Sequence, residues 1–159
     1  MPQKERNMKR YHWQGYEVQV DEAVTRAWYQ TAAMWDCDCD CCRNFLTLAR
    51  KRKLPPVLLM MLDELGIPPE KATNVCDYDG QGEKHVYVVA YRLAGWLLTD
   101  FEHGPVQMEW GRVYCGEEIN PTVAEDFPKP YFDLTLDLWL PWVLDEPLEA
   151  EQEGGAGRG

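Results

Sequence analysis

The segment Tyr131 to Leu140 alternates along its whole length, with Phe132, Leu134, Leu136, Leu138 and Leu140 set against Asp133, Thr135, Asp137 and Trp139. A period of two predicts a strand with one face in the core and one in water. Lys84 to Leu98 is a second long strand, in which Val86, Val88 and Ala90 alternate with Tyr87, Val89 and Tyr91. Gly95 sits where such a strand bends or bulges. Val106 to Cys115 and Asn74 to Tyr78 read as further strands, and Asp79-Gly80-Gln81-Gly82 is a hairpin signal. Near the start, Tyr11 to Val20 reads as one strand, with Tyr16, Val18 and Val20 on one side, ending near Asp21-Glu22. Arg26 to Trp35 is mostly apolar on both faces and suits either a buried strand or a short helix. Its aromatic residues favour the strand.

Two segments have helical spacing instead. Cys41 to Lys53 places Phe45, Leu46, Leu48 and Ala49 on one stripe, and Leu54-Pro55-Pro56 stops it. Val57 to Leu65 starts beside prolines suited to a first turn and ends at Gly66, where a left-handed residue belongs. Val57, Leu58, Met61, Leu62 and Leu65 form its apolar stripe. Strands, two helices and then more strands, with no internal repeat, imply an α+β fold: an antiparallel sheet with two helices packed on it. Residues 1–148 are expected to form a single globular domain. The acidic, glycine-rich residues 149–159 are expected to form a flexible tail.

Composition narrows the function classes. A chain of 159 residues with 45% hydrophobic and 27% charged residues is ordinary for a globular domain. No apolar run is long enough for a membrane span. The net charge of −11 is uneven: residues 1–53 hold 10 Lys/Arg against 7 Asp/Glu, and residues 54–159 hold 6 against 20. An acidic body repels phosphate backbones, so direct nucleic-acid binding is not expected. Residues 1–11 are polar and basic, with no secretory signal, and six thiols then suit a reducing cytoplasm.

Four thiols fall within six residues: Cys37, Cys39, Cys41 and Cys42. Cys39 and Cys42 have the C-x-x-C spacing that turns two sulfurs toward one ion, and Cys37 can add a third ligand. Cys37, Cys39 and Cys42 are therefore the candidate metal ligands, with zinc the candidate cofactor. A structural zinc takes four ligands, and the fourth would come from Cys76, Cys115, His12, His85 or His103. Two other readings stand beside this one. The thiols suit small buried side chains at a junction into a helix, or a redox pair made reactive by a helix N-terminus.

The run Cys37-Asp38-Cys39-Asp40-Cys41-Cys42-Arg43-Asn44-Phe45 fits a C-x-C-x-x-C-R-N-F block. It is followed by E-L-G-I-P-P-E-K, Glu64 to Lys71, and by L-P-W-V-L-D-E-P, Leu140 to Pro147. Together these blocks resemble a small uncharacterised protein family of bacteria and their phages. The resemblance spans most of Tyr16 to Pro147 and implies one domain of mixed α and β structure. It implies no activity.

Other chemistry is thin. Serine is absent, which removes every Ser-His-Asp arrangement. No Gly-rich phosphate loop and no H-E-x-x-H occur. The pairs Glu117-Glu118 and Glu125-Asp126 read as solvated loop. These absences disfavour an enzyme. The reading that remains is a non-enzymatic interaction protein, which the phage resemblance extends to an inhibitor of a host or defence protein. Its contact surface is placed at Asp133, Asp137, Trp139 and Trp142, extended by Asp145 and Glu146, and its partner is a protein with a basic patch. The alternatives are a domain that sequesters a small molecule in a pocket of Trp and Tyr, and a thiol- or metal-dependent enzyme.

Overall fold

The structure, a computed structural model, describes residues 8–78, 84–99, 104–116 and 120–144. Among the described residues the architecture is α+β, with an antiparallel seven-stranded sheet. In chain order it contains β1 (Met8–Trp13), β2 (Tyr16–Asp21), α1 (Glu22–Thr31), α2 (Asp40–Arg50) and α3 (Pro56–Leu65). A 3-10 turn (Pro69–Lys71) follows, then β3 (Asn74–Tyr78), β4 (Lys84–Leu97), β5 (Val106–Met108), β6 (Gly111–Gly116) and β7 (Tyr131–Pro141). The sheet order is β1-β2-β4-β7-β6-β5. The long strand β4 pairs with β7 along its full length. Its other edge is shared, Asn74 to Tyr78 of β3 pairing with Val86 to Ala90, and β2 pairing near Gly95 to Leu97.

Three expectations change. The segment read as a strand from Arg26 to Trp35 is instead covered by α1 and the irregular chain after it. Asp21 caps α1, its side chain accepting from Val24 N at 3.1 Å. An N-cap carboxylate fixes where a helix begins. The buried Thr25 and Tyr29 are four residues apart, as are Val24 and Trp28 behind them, so the apolar spacing suits a helix as well as a strand. The aromatics were a weaker signal than that cap, and among the described residues there are three α-helices rather than two. Tyr11 to Val20 is a hairpin, turned at Gln14 and Gly15, both at positive φ (51° and 90°). Val106 to Cys115 is likewise two strands joined at Glu109-Trp110.

The core lies between the helices and one face of the sheet. Tyr87, Val89, Tyr91 and Leu93 of β4, with Leu134, Leu136 and Leu138 of β7, pack in one cluster with Tyr29, Phe45, Leu58, Leu62 and Leu65. Gly95 and Gly111 let neighbouring strands approach closely. A Cβ on Gly95 would lie 1.9 Å from the Gln19 carbonyl oxygen, and one on Gly111 would lie 1.7 Å from that of Asp137.

The register of β7 follows its alternation, but its second face is not wet. Asp133 is 1% exposed, Thr135 1% and Asp137 6%. β7 is flanked on both sides, and its outer row meets ordered partners. Asp133 lies opposite Arg92 of β4, Thr135 opposite Tyr114 of β6, and Asp137 opposite Arg112 of β6. The chain at Asn120 to Ala124 closes over the Arg92 end, where Arg92 donates to the carbonyls of Asn120, Val123 and Ala124. Charged residues are tolerated inside when paired in this way. Among the described residues no helix is long and apolar enough to cross a membrane. The hairpin tip Asp79–Gly82, His103, Glu117-Glu118, Asp145-Glu146 and the tail 149–159 lie outside the described residues.

Candidate metal centre

Residues Ala32 to Cys39 cross irregularly from α1 to α2, and one backbone bond, Trp35 N to Glu70 O at 3.1 Å, fastens them to the 3-10 turn. Cys39 is the N-cap of α2, its sulfur accepting from Cys42 N at 3.4 Å. That cap brings residues 39 and 42 to the same end of the helix, the physical content of the C-x-x-C spacing. Cys37 lies two residues back in extended chain, and its sulfur is 3.4 Å from that of Cys39. The three sulfurs of Cys37, Cys39 and Cys42 all lie within 4.8 Å of one another.

Two of the sulfurs also accept an N–H. The nearby Cys39 backbone N–H holds the Cys37 thiol below the usual range. Cys42 N donates to Cys39, and the indole Nε1 of Trp35 donates to Cys42 Sγ at 3.2 Å. N–H donors and a helix N-terminus both favour thiolate over thiol. Burial acts the other way on Cys42 and pushes its thiol well up despite the indole. Cys37 is half-buried, Cys39 exposed and Cys42 buried, so the trio runs from solvent to core. Without an ion, Cys37 is thus the more acidic and Cys42 the less acidic of the two.

Cys41, the extra thiol of the block, is not part of this group. It turns toward β3 and donates to Asp77 Oδ2 at 2.9 Å, and burial with that carboxylate pushes it well up. Of the intervening carboxylates, Asp40 accepts from Cys41 N at 2.8 Å and Asp38 is exposed. Cys76 lies on β3 and Cys115 on β6, and neither belongs to the cluster.

Asn44 and Trp35 were not singled out by sequence reasoning. Asn44 is fully buried. Its Nδ2 donates to Pro141 O at 3.0 Å and to Tyr87 Oη at 3.2 Å, and its Oδ1 accepts from Val143 N at 2.7 Å. Tyr87 in turn donates to Cys41 O at 2.8 Å. The cysteine block and the L-P-W-V block are therefore joined through one amide. The E-L-G-I-P-P-E-K block abuts the same region: Tyr91 donates to Pro69 O, Lys71 to Tyr29 O, and Trp35 N to Glu70 O. The signal for Asn44 was its place in the R-N-F run, an amide amid apolar helix positions.

The four residues expected to form a contact surface are dispersed in role. Arg92 holds Asp133 through Nε and Nη2 at 2.9 and 3.3 Å, beneath the Asn120 to Ala124 segment. Arg112 holds Asp137 through Nε at 2.7 Å. Trp139 is 42% exposed on the outer face, opposite Val86. Trp142 follows β7, between Pro141 and Val143 of the segment Asn44 pins, and is half-buried. The acidic face therefore lacks free carboxylates at Asp133 and Asp137. Among concave regions, an apolar cavity of about 470 Å³ lies between Trp96, Met8 and Val24 and the prolines Pro128 and Pro130. A second, more open cleft of about 580 Å³ adjoins Cys37.

No protein-family model, curated protein or solved structure matches this chain.

Proposed function

We propose that the protein binds a thiophilic divalent ion, zinc in the first instance, through Cys37, Cys39 and Cys42. The observation that carries this reading is the convergence of three sulfurs within 4.8 Å, two of which accept an N–H. Zinc holds thiolates at about 2.3 Å, which sets tetrahedral sulfurs about 3.8 Å apart. Cys37 and Cys39 are already within that distance, and side-chain rotation of Cys42 closes the remainder. Ion binding releases the Cys42 proton, because the ligand form is the thiolate. Soft thiolates exclude magnesium and calcium, which take oxygen.

Purified without added metal, the protein should carry close to one zinc per chain. The variant with Cys37, Cys39 and Cys42 all changed to Ser should carry none. Equal zinc in both, or none in the wild type after reconstitution under reducing conditions, would overturn the reading. As a non-enzymatic interaction protein of phage type, the chain would meet a basic partner without Asp133 or Asp137, and Trp139 is the anchor left to it. A small-molecule role is favoured by the Trp96 cavity, whose volume suits a drug-sized apolar ligand. Trp96→Ala should then abolish retention of an environment-sensitive apolar dye that the wild type binds.

A further inference from the structure

Three thiolates do not complete a tetrahedral ion. Among the described residues, no carboxylate or imidazole joins the three sulfurs. The neighbouring thiol that could have done so, Cys41, is turned away onto Asp77. A structural zinc is closed by four protein ligands, whereas a site that binds an exchangeable molecule keeps one position open. Among the described residues this turn offers three ligands, as in the second pattern.

The surroundings of Cys37 indicate what fits there. The adjoining cleft is lined by Trp35, Leu46 and Leu144 and by Arg43 and Arg50 of α2. Arg43 Nε donates to Asp38 O at 3.3 Å. Arg50 Nη2 donates to Met34 Sδ at 3.2 Å. A thioether is a weak acceptor, so a carboxylate improves on it. Asp36 and Asp38 also line the cleft and would repel an anion on their side. They orient a carboxylate toward α2.

We propose, resting on the ion site above, that the fourth position takes the thiolate of a small molecule that also carries a carboxylate, with the carboxylate held by Arg50. An ion already bound by three thiolates prefers a soft fourth donor. The planar guanidinium suits a carboxylate in a bidentate approach. The step balances without an oxidant: the small thiol loses its proton to solvent, its sulfur bonds to the ion, and a water leaves.

The test uses cobalt(II) in place of zinc, because its sulfur charge-transfer absorbance counts sulfur ligands. Two probes of similar length are titrated into the cobalt-loaded full chain: 3-mercaptopropionate and 2-mercaptoethanol. The absorbance should rise by about a third as three sulfurs become four. 3-Mercaptopropionate should half-saturate at a concentration about fivefold lower than 2-mercaptoethanol, the upper range for an exposed ion pair. In Arg50→Gln this preference should fall below about twofold, with the same rise at saturation. A spectrum unmoved by either probe, or equal half-saturation in the wild type, overturns the proposal while leaving the ion site intact. Absence of cobalt-thiolate bands from the loaded protein overturns the ion site and this proposal with it.

Discussion

Two polar clusters flank the core, and they are completed differently. Around Arg92 every guanidinium N–H has an acceptor: Nε and Nη2 reach Asp133, Nη1 reaches the carbonyls of Val123 and Ala124, and Nη2 also reaches that of Asn120. The ring of Tyr131 lies over the same group, 4.5 Å from its Cζ. Charge meets opposite charge, and the cluster is closed. At the cysteine turn the Cys39 and Cys42 sulfurs each accept an N–H, and three thiols converge with no fourth ligand group beside them among the described residues. A closed buried network fixes geometry, here the path of the chain from β6 to β7. The converging thiols, three where a tetrahedral ion takes four ligands, are the arrangement on which the proposed ion binding rests.

The sharpest way to break this comparison is to cut each cluster and compare stability. Arg92→Ala leaves Asp133 buried and uncompensated, and should destabilise the protein by about 3–5 kcal/mol in urea unfolding. The pair Arg92→Met with Asp133→Leu should recover much of that loss, because an apolar pair removes the stranded charge. If Arg92→Ala cost less than about 1 kcal/mol, the Asn120 to Ala124 segment would be held by something else. The ion-free cysteine turn should behave oppositely. Cys37, Cys39 and Cys42 changed together to Ser should cost no more than about 1 kcal/mol, since Ser at position 39 is itself a good N-cap.

Adding the ion should then separate the two clusters again. At zinc a hundredfold above its dissociation constant, wild-type stability should rise by about 2.7 kcal/mol. The triple Ser variant should gain nothing, and Arg92→Ala should gain the full increment on a lower baseline if it remains folded. A gain in the triple variant would place the ion elsewhere.

The contrast also explains what the sequence revealed. The long strands and the α+β class were legible because period-two alternation in β4 and β7 is a local property. The water-facing side of β7 was not, because Asp133 and Asp137 are polar locally and buried only through Arg92 and Arg112, far away in the chain. The helix α1 was missed because its apolar residues satisfy both periods, and the decision rests on the Asp21 cap. At the site, Cys37, Cys39 and Cys42 were legible from spacing, and the structure brings them together. The exclusion of Cys41 was not legible, since it depends on Asp77 across the fold. Nor was the role of Asn44, whose partners Pro141 and Val143 lie almost a hundred residues downstream.

Asn44 links the turn to the end of β7, and it gives an intermediate test. Asn44→Ala removes an amide with three partners and leaves the Pro141 carbonyl and the Val143 N–H to find others. Such a loss typically costs about 1–3 kcal/mol. Amide exchange at Val143 should accelerate, while exchange in the Leu134 to Leu138 stretch should change only through overall stability. Unchanged protection at Val143 would show that the L-P-W-V segment is anchored independently of α2.

The smallest expected effect is a difference in thiol reactivity, which separates the turn from the closed core without a mutation. Iodoacetamide attacks the thiolate, so labelling follows acidity and access. Cys37 is half-buried and held low by the Cys39 N–H. Burial holds Cys42 well up, does the same to Cys41 with help from Asp77, and pushes Cys115 up to about 12. The sign follows directly: as pH falls from mildly alkaline values toward neutral, Cys37 keeps more thiolate than the other three. In ion-free protein under reducing conditions, peptide mapping should show Cys37 labelled about tenfold or more faster than Cys42 or Cys115. Zinc should then slow Cys37 and Cys39 together and leave the exposed Cys76 of β3 unchanged, because coordination occupies the lone pairs that alkylation needs. If Cys42 reacted as fast as Cys37 without the ion, the gradient from solvent to core would be wrong. If zinc slowed Cys76 as much as Cys37, the protection would reflect general tightening of the fold rather than a bond to these sulfurs.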